Sequence, residues 1–394
     1  MQKKCKIAVA GFGQRGYAYV NMVKDRPDAE LVAVCDADYK RAQTFARETG
    51  TESVPCYRTV EEMVAKSDCD AVIITTPDFA HRDCAIACCN AGKSIMLEKP
   101  MAPTAAECRD IITSCIKNDC ILQVGFVLRN HPVFSRVIEI VRAGKLGQLL
   151  NITAAEHISV MHGASYMRRW HRKVANSGGF MLAKCSHDID LISAIADSRV
   201  VRVASFGSLN FFTSDKLRHE YCSECPDKDC RFRFAGEFVR MTPEEKEEHS
   251  GNRFDLCVYN KDKDVVDHEV SIFDFANGVK ANFTLNLFAA VPKRTICVAG
   301  SGGILYADTA EECIHIDYSD GRECERIECK RPNQSGHGGS DLVFLDEFID
   351  CVVNHRKPKA DCAAGLASTL VGNAVEKARL ENRVVEIPVE AYDI

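Results

Sequence analysis

The residues most able to do chemistry begin with Gly11-Phe12-Gly13-Gln14-Arg15-Gly16, which follows a β-rich run and precedes a helical pattern. Glycines at this spacing permit a tight turn, a close backbone approach to a pyrophosphate, and a helix N-terminus that favours the anion. An ordinary glycine-rich turn is the competing reading, and the strand–turn–helix context weighs against it. Asp36 ends the next β-run, where a carboxylate accepts both ribose hydroxyls and repels a 2′-phosphate. No arginine occurs among Ala37, Asp38 and Tyr39, so NAD is favoured over NADP. Thr75-Thr76-Pro77-Asp-Phe-Ala-His81 and Glu98-Lys99-Pro100 close two later β-runs, at the carboxyl edge where ligands of parallel sheets bind. A lysine there could polarise or deprotonate a substrate hydroxyl; taken alone, a lysine before proline is more often a surface residue.

Further along, Gly178-Gly-Phe-Met-Leu-Ala183-Lys184-Cys-Ser-His187-Asp-Ile-Asp190 reads as a loop entering a helix, with His187 and Asp190 one turn apart on its first turns. An imidazole that titrates near neutrality suits removal of an alcohol proton, whereas a lone histidine is usually a cap or core residue. Lys184 is a candidate for the catalytic set and for a substrate hydroxyl or anionic substituent. The only tryptophan lies in Tyr166-Met-Arg-Arg169-Trp170-His-Arg172. Aromatic faces stack on sugar rings and arginines bind hydroxyls, so Tyr166, Arg169 and Trp170 are candidate substrate contacts, with Arg129 lining the same cleft. A tryptophan plugging a domain interface is an equal alternative. Cys222-x2-Cys225-x4-Cys230, with His219 upstream, has a spacing that zinc or an iron–sulfur cluster uses. No second CxxC pair accompanies it, and free thiols in a loop insertion are preferred over structural zinc.

The elements that must position these residues fall into two patterns. Short β-runs at 6–10, 31–35, 71–75, 94–97 and 121–125 alternate with helical stretches, the signature of a doubly wound parallel sheet. One such helix, 79–91, would place Ala80, Cys84, Ala87, Cys88 and Ala91 on its apolar face. Another at 133–143 leads into the Gly144-Lys-Leu-Gly147 turn. After it the pattern becomes polar–apolar alternation, cleanest in Ala281-Asn-Phe-Thr-Leu-Asn-Leu287 and weaker near 151–157, 200–208, 265–275, 295–298 and 313–316. That predicts a large, mostly antiparallel open sheet whose polar face meets solvent or a dimer partner. Helices at 341–353 and 363–380 and a strand at 384–387 close the chain. The expected class is α/β, with a Rossmann domain at 1–127 and an α/β substrate and oligomerisation domain at 128–394. Its C-terminal helices have the option of packing back on the first domain.

Composition excludes several function classes. The 394 residues, 46% hydrophobic and 27% charged, are those of a globular protein with room for two domains. A net charge of -6 with interspersed signs lacks the basic face that nucleic-acid binding needs. The acidic cluster at 244–248 reads as a solvated helix or loop. The basic start Met1-Gln-Lys-Lys-Cys-Lys6 precedes an apolar run too short for a signal peptide, and no stretch reaches the ~20 apolar residues of a membrane span. The 21 cysteines, odd in number and often at apolar helical positions such as Cys84, Cys88, Cys108 and Cys115, suggest a reducing cytoplasm.

Taken together, the Gly11–Gly16 turn, the Thr76-Pro-Asp-Phe-Ala-His81 segment and Glu98-Lys-Pro100 resemble the Gfo/Idh/MocA family. This is the glucose–fructose oxidoreductase, inositol dehydrogenase and rhizopine-catabolism group. Gly179 followed by His187-Asp-Ile-Asp190, and His337-Gly-Gly-Ser-Asp341, extend the resemblance over nearly the whole chain. It implies a two-domain NAD-dependent dehydrogenase acting on a secondary alcohol of a carbohydrate, cyclitol or glycoside, assembled as a dimer or tetramer. It also implies that Lys99 and His187 approach the nicotinamide and the substrate hydroxyl. Many members carry an aspartate four residues before the histidine; here Ala183 stands there with Lys184 beside it, the Ala-Lys-x-x-His-Asp pattern of a particular subgroup. Two rivals stay open at this point: a glycosidase that uses retained NAD for transient oxidation and elimination, and a non-catalytic dinucleotide-binding regulator.

Overall fold

The computed structural model describes residues 4–234, 255–331 and 336–394. The chain start at 1–3 and the acidic cluster at 244–248 lie outside them. The described residues group into two units: one from 1–127 with 335–369 and 394, the other from 128–334 with 370–393. Among the described residues, no helix is long and apolar enough to cross a membrane.

The first unit is built on a six-stranded parallel sheet in the order β3-β2-β1-β4-β5-β6. The strands are β1 (Cys5–Ala10), β2 (Ala29–Cys35), β3 (Cys56–Tyr57), β4 (Ala71–Ile74), β5 (Ser94–Leu97) and β6 (Leu122–Val124). Continuous apolar runs such as Ala71-Val-Ile-Ile74 are buried on both faces because helices cover both sides. The covering helices are α1 (Gln14–Lys24), α2 (Tyr39–Thr49), α3 (Val60–Lys66), α4 (His81–Asn90) and α5 (Ala105–Lys117). Local signals start them. Asp38 accepts from the Arg41 N–H at the head of α2, and Thr104 and Glu107 form a reciprocal capping box on α5. The expected apolar face of the fourth helix is corrected. A 3-10 turn at Asp78–Ala80 precedes α4, and the buried residues are His81, Ala85, Cys88 and Cys89. Helix α10 (Ser340–Asn354) also belongs to this unit, and Gln123 donates to the Phe344 carbonyl at 3.0 Å.

The second unit carries a nine-stranded sheet in the order β14-β13-β12-β11-β7-β10-β9-β8-β15. In chain order these are β7 (Leu149–Ser159), β8 (Val200–Ser208), β9 (His268–Phe275), β10 (Lys280–Ala289) and β11 (Lys293–Gly300). They continue with β12 (Gly303–Asp308), β13 (Cys313–Tyr318), β14 (Glu325–Glu328) and β15 (Val385–Glu386). Every pairing is antiparallel except β7 with β10. The alternation read at 281–287 holds: Ala281, Phe283, Leu285 and Leu287 are buried while the residues between them are not. Helices α6 (Pro132–Arg142), α7 (Val160–Tyr166) and α9 (Phe180–Ala196) pack on that inner face. A short α8 (Val174–Ser177) precedes α9, and α11 (Cys362–Glu381) follows α10. The pattern missed β3, β12 and β14: β3 is only two residues long, β12 carries apolar Ile304 and Tyr306 at its exposed positions and so lacks the polar–apolar alternation, and β14 is four residues with charged Arg326 and Glu328 exposed.

Candidate active site

In the first unit the chemistry-bearing residues gather along the carboxyl edge of the parallel sheet. Gly11 leaves β1 at φ +92°, a left-handed conformation that glycine adopts without strain. A Cβ at Gly11 would lie 2.7 Å from the Thr75 carbonyl carbon, and one at Gly16 would lie 2.0 Å from the Gly11 oxygen. A Cβ at Gly13 would meet nothing within 4 Å. Two glycines therefore close the strand–helix turn, while the third leaves open space directly before α1. No side chain caps that helix, so its first N–H groups face the opening. Thr75 locks the turn by donating to the Gly11 carbonyl at 2.6 Å and to the Ala10 carbonyl at 3.1 Å. This cradle fits a dinucleotide pyrophosphate, whose two charges need backbone donors and no obstructing Cβ.

The other candidates in this unit fall into two groups. Gln14, Thr76, Pro77 and Lys99 keep surface exposed, Lys99 at the end of β5 beside the buried Pro100. Phe12, Arg15, Asp36, His81 and Glu98 are engaged within the protein. The Phe12 N–H donates to Asp36 at 2.7 Å and its ring stacks on Phe45 at 4.1 Å, so neither its amide nor its ring is available to phosphate. Arg15 donates to Glu98 at 2.6 Å and to both Asp341 oxygens at 2.8 and 3.0 Å, with its cation over the Tyr19 ring. Two carboxylates thus neutralise the Arg15 guanidinium. Burial disfavours the Glu98 anion, but Arg15 outweighs it and holds the carboxyl below its usual range. The same guanidinium and His337, whose Nδ1 lies 3.0 Å from Asp341, hold Asp341 far below its own, against burial. His81 is fully buried, its ring nitrogens 2.9 Å from the Pro100 carbonyl and 3.0 Å from the Thr76 carbonyl. It joins the segments after β4 and β5 and has no surface with which to touch a ligand.

Asp36 brings a further correction. Its carboxylate accepts from the Phe12 and Asp38 N–H groups and, at 2.7 Å, from the Arg41 guanidinium. An arginine does stand at this position, five residues on. The helical start of α2 carries it back over the strand end, which reading only the adjacent residues missed.

In the second unit the candidates lie around α9. His187 and Asp190 sit mid-helix, 4% and 3% exposed, and not on its first turns. Arg129 makes a bidentate pair with Asp190 at 2.6 and 2.7 Å, so the pair is neutral. Lys184 donates to Glu156 at 2.8 Å; Arg294 reaches the same oxygen at 2.5 Å and Asp188 at 2.8 Å. These four buried groups form a balanced cluster joining α9 to β7 and β11. Burial lowers the affinity of Lys184 for its proton, but Glu156 outweighs that and holds the ammonium charged. Lys184 is therefore held as a cation by Glu156. Tyr166 is 7% exposed and packs against Phe180, His162 and His171. Trp170 stacks on His171 at 3.6 Å, and Trp170 and Arg169 remain half-buried.

The two halves of the chain match two consecutive family models. Residues 5–126 match the NAD-binding Rossmann fold of the Gfo/Idh/MocA oxidoreductases, and residues 138–387 match their C-terminal α/β domain. The chain belongs to the Gfo/Idh/MocA family. It is accordingly an oxidoreductase whose Rossmann domain binds a nicotinamide dinucleotide. Among its curated relatives, the protein YteT of Bacillus subtilis is 23% identical over 87% of this chain and 88% of its own. The scyllo-inositol 2-dehydrogenase (NAD(+)) of the same species is 29% identical over 53% of this chain. That match spans 59% of the dehydrogenase, little more than half its length. Levoglucosan dehydrogenase, solved with NADH and levoglucosan, shares the fold at a TM-score of 0.77 and 16% identity, covering 98% of this chain and all of that one.

Sequence reasoning missed the partners of five residues in this family member's site region. Arg41 was visible at one helical turn from Asp36. Asp341 and His337 were quoted in the resemblance, but only the fold brings their side chains to Arg15. Glu156 and Arg294 carry no local signal: one lies on β7 and the other on β11, and only the register that pairs them reveals the cluster.

Proposed function

We propose that this family member is an NAD-dependent dehydrogenase of a secondary alcohol on a sugar, cyclitol or glycoside. The observation that carries this reading is the strand order around the glycine turn. Asp36 directly follows β2 on one side of it, and Thr75 and Lys99 follow β4 and β5 on the other. With strands ~4.8 Å apart, the end of β5 lies ~10 Å from the turn, about the reach of the nicotinamide half of a dinucleotide laid across the strand ends. When bound, that cofactor supplies the hydride acceptor. Lys99 then orients the substrate hydroxyl and moves its proton, and His187 is the second proton-handling group. Lys184 keeps its charge and acts through Glu156 as a positioning residue. NAD is the preferred dinucleotide because the Asp36 carboxylate occupies the ribose end, although Arg41 softens its repulsion of a 2′-phosphate. Self-association belongs to the same reading, since helices cover only one face of the large sheet.

The test measures reduced nicotinamide with a panel of cyclitols, aldoses and glycosides, for the full chain and for Lys99→Met. The expected result is turnover on at least one polyol or sugar, reduced ~10²–10⁴-fold in the variant while NAD affinity holds. Unchanged turnover removes Lys99 from the mechanism. Glycoside cleavage without net NADH replaces this reading with transient oxidation by retained NAD, and failure to bind either nucleotide overturns it.

A further inference from the structure

We propose that Cys222, Cys225, Cys230 and Cys257 form a tetrathiolate site for a single zinc ion. The first three are close in sequence; the fourth is supplied by the fold. A lone antiparallel bridge pairs Tyr221 with Leu256. Around it the Cys222 N–H donates to the Asp255 carbonyl and the Cys257 N–H to the Glu220 carbonyl, both at 2.8 Å. Side chains alternate along a strand, so Cys222 and Cys257 project from the face opposite Tyr221 and Leu256. Cys222-Ser-Glu-Cys225 then folds into a tight turn, its Cys225 N–H 3.3 Å from the Cys222 carbonyl. All four cysteines line one small cavity of about 20 Å³. That volume suits one ion or one water, not an iron–sulfur cuboid.

A second observation points to the same ligand. Arg168 is 9% exposed and donates to the carbonyl of Phe232, which also lines the cavity. It pairs with no carboxylate among the described residues, and its buried Nε has no hydrogen-bond partner. A buried guanidinium without an anion is costly. Four thiolates around one divalent ion carry a net charge of −2, and Arg168 and the cavity-lining Arg233 balance it.

Between β8 and β9 the described residues hold no regular structure beyond this bridge and a 3-10 turn at Ser214–Lys216. A segment with so little ladder hydrogen bonding gains most from a metal staple. No three of the four sulfurs lie mutually within 4.8 Å. Tetrahedral ligation at ~2.3 Å requires ~3.8 Å between sulfurs, so binding draws the turn and the bridge together.

The test is elemental analysis of the full chain purified under reducing conditions, with Co(II) exchange as a folding-independent readout. One zinc per chain, and the intense visible d–d bands of a cobalt tetrathiolate, are expected. Cys257→Ser should lose the metal as completely as Cys222→Ser, while substitution of the exposed Cys324 should retain it. Folded, metal-free protein that takes up no cobalt overturns the site. Iron with acid-labile sulfide overturns the single ion, and metal loss in His219→Ala but not in Cys257→Ser overturns the fourth ligand.

Discussion

Asp36 and Arg41 show how one contact alters the meaning of a residue. A bare carboxylate at the end of β2 would reject a 2′-phosphate outright; a carboxylate 2.7 Å from a guanidinium that is 39% exposed rejects it less. Arg41→Ala is expected to widen the preference for NAD over NADP, and Asp36→Asn, with Arg41 left free, to narrow or reverse it. Nucleotide titrations of both variants check this, and an unchanged ratio would show that neither residue reads the 2′ position. Glu269 offers a second prediction. Burial pushes its carboxyl up to about 7, Glu376 adds to the rise, and Ser205, Arg379 and His268 oppose it. The folded state therefore holds a proton that the unfolded chain releases near its ordinary value of 4.5. The associated stability is complete below that value and is lost as pH rises through about 7, up to ~3 kcal/mol. Glu269→Gln keeps the shape without the charge. It is expected to melt above the wild type at pH ~8, with the gap closing near pH ~5; a gap independent of pH would contradict the assignment.

Single elements are joined by charge as well as by apolar packing. Arg294 on β11 spans to Glu156 on β7 and to Asp188 on α9, fastening the helix that carries His187 to the sheet beneath it. Burial, with Glu156 adding to it, pushes the Asp188 carboxyl up, and Arg294 is the main group pulling it back. Arg294→Met leaves two buried carboxylates with Lys184 alone. The expected cost is ~3–5 kcal/mol, because breaking a buried pair strands its partner, and chemical denaturation measures it. Replacing Lys184 by Met should be milder, since Arg294 still serves both carboxylates. The reverse ranking would place the centre of the cluster at Lys184.

The large sheet shapes the behaviour of the whole molecule. Its inner face is covered by α6, α7 and α9, while its outer face presents Phe206, Val270, Ile272, Ile304 and Tyr306 to solvent. Phe206 pairs with Val270 across β8 and β9, and Ala204 with Ile272, so these apolar positions are contiguous. We expect this exposed apolar patch to be an association surface, meeting a second copy of the same face through a two-fold axis. Ile272→Asp is expected to shift the protein to a smaller oligomer or monomer in light scattering, with secondary structure preserved. A wild type that is already monomeric would contradict the pairing of sheets.

The glycine turn, the end of β2, the lysine after β5 and the alternation of β10 were legible in the sequence because each is a local rule. Backbone conformation needs glycine, side-chain period separates helix from strand, and a strand's carboxyl end places the next residue at the ligand edge. The partners of the charged residues were not legible. Arg15 with Asp341, Arg294 with Glu156, and Cys257 with Cys222 are joined by strand order, register and a single bridge, across separations that carry no periodic signal. An ionisable side chain takes its protonation state and its chemistry from its partner. The sequence therefore determined the fold class and the cofactor cradle, and the tertiary structure decided which titratable groups are engaged.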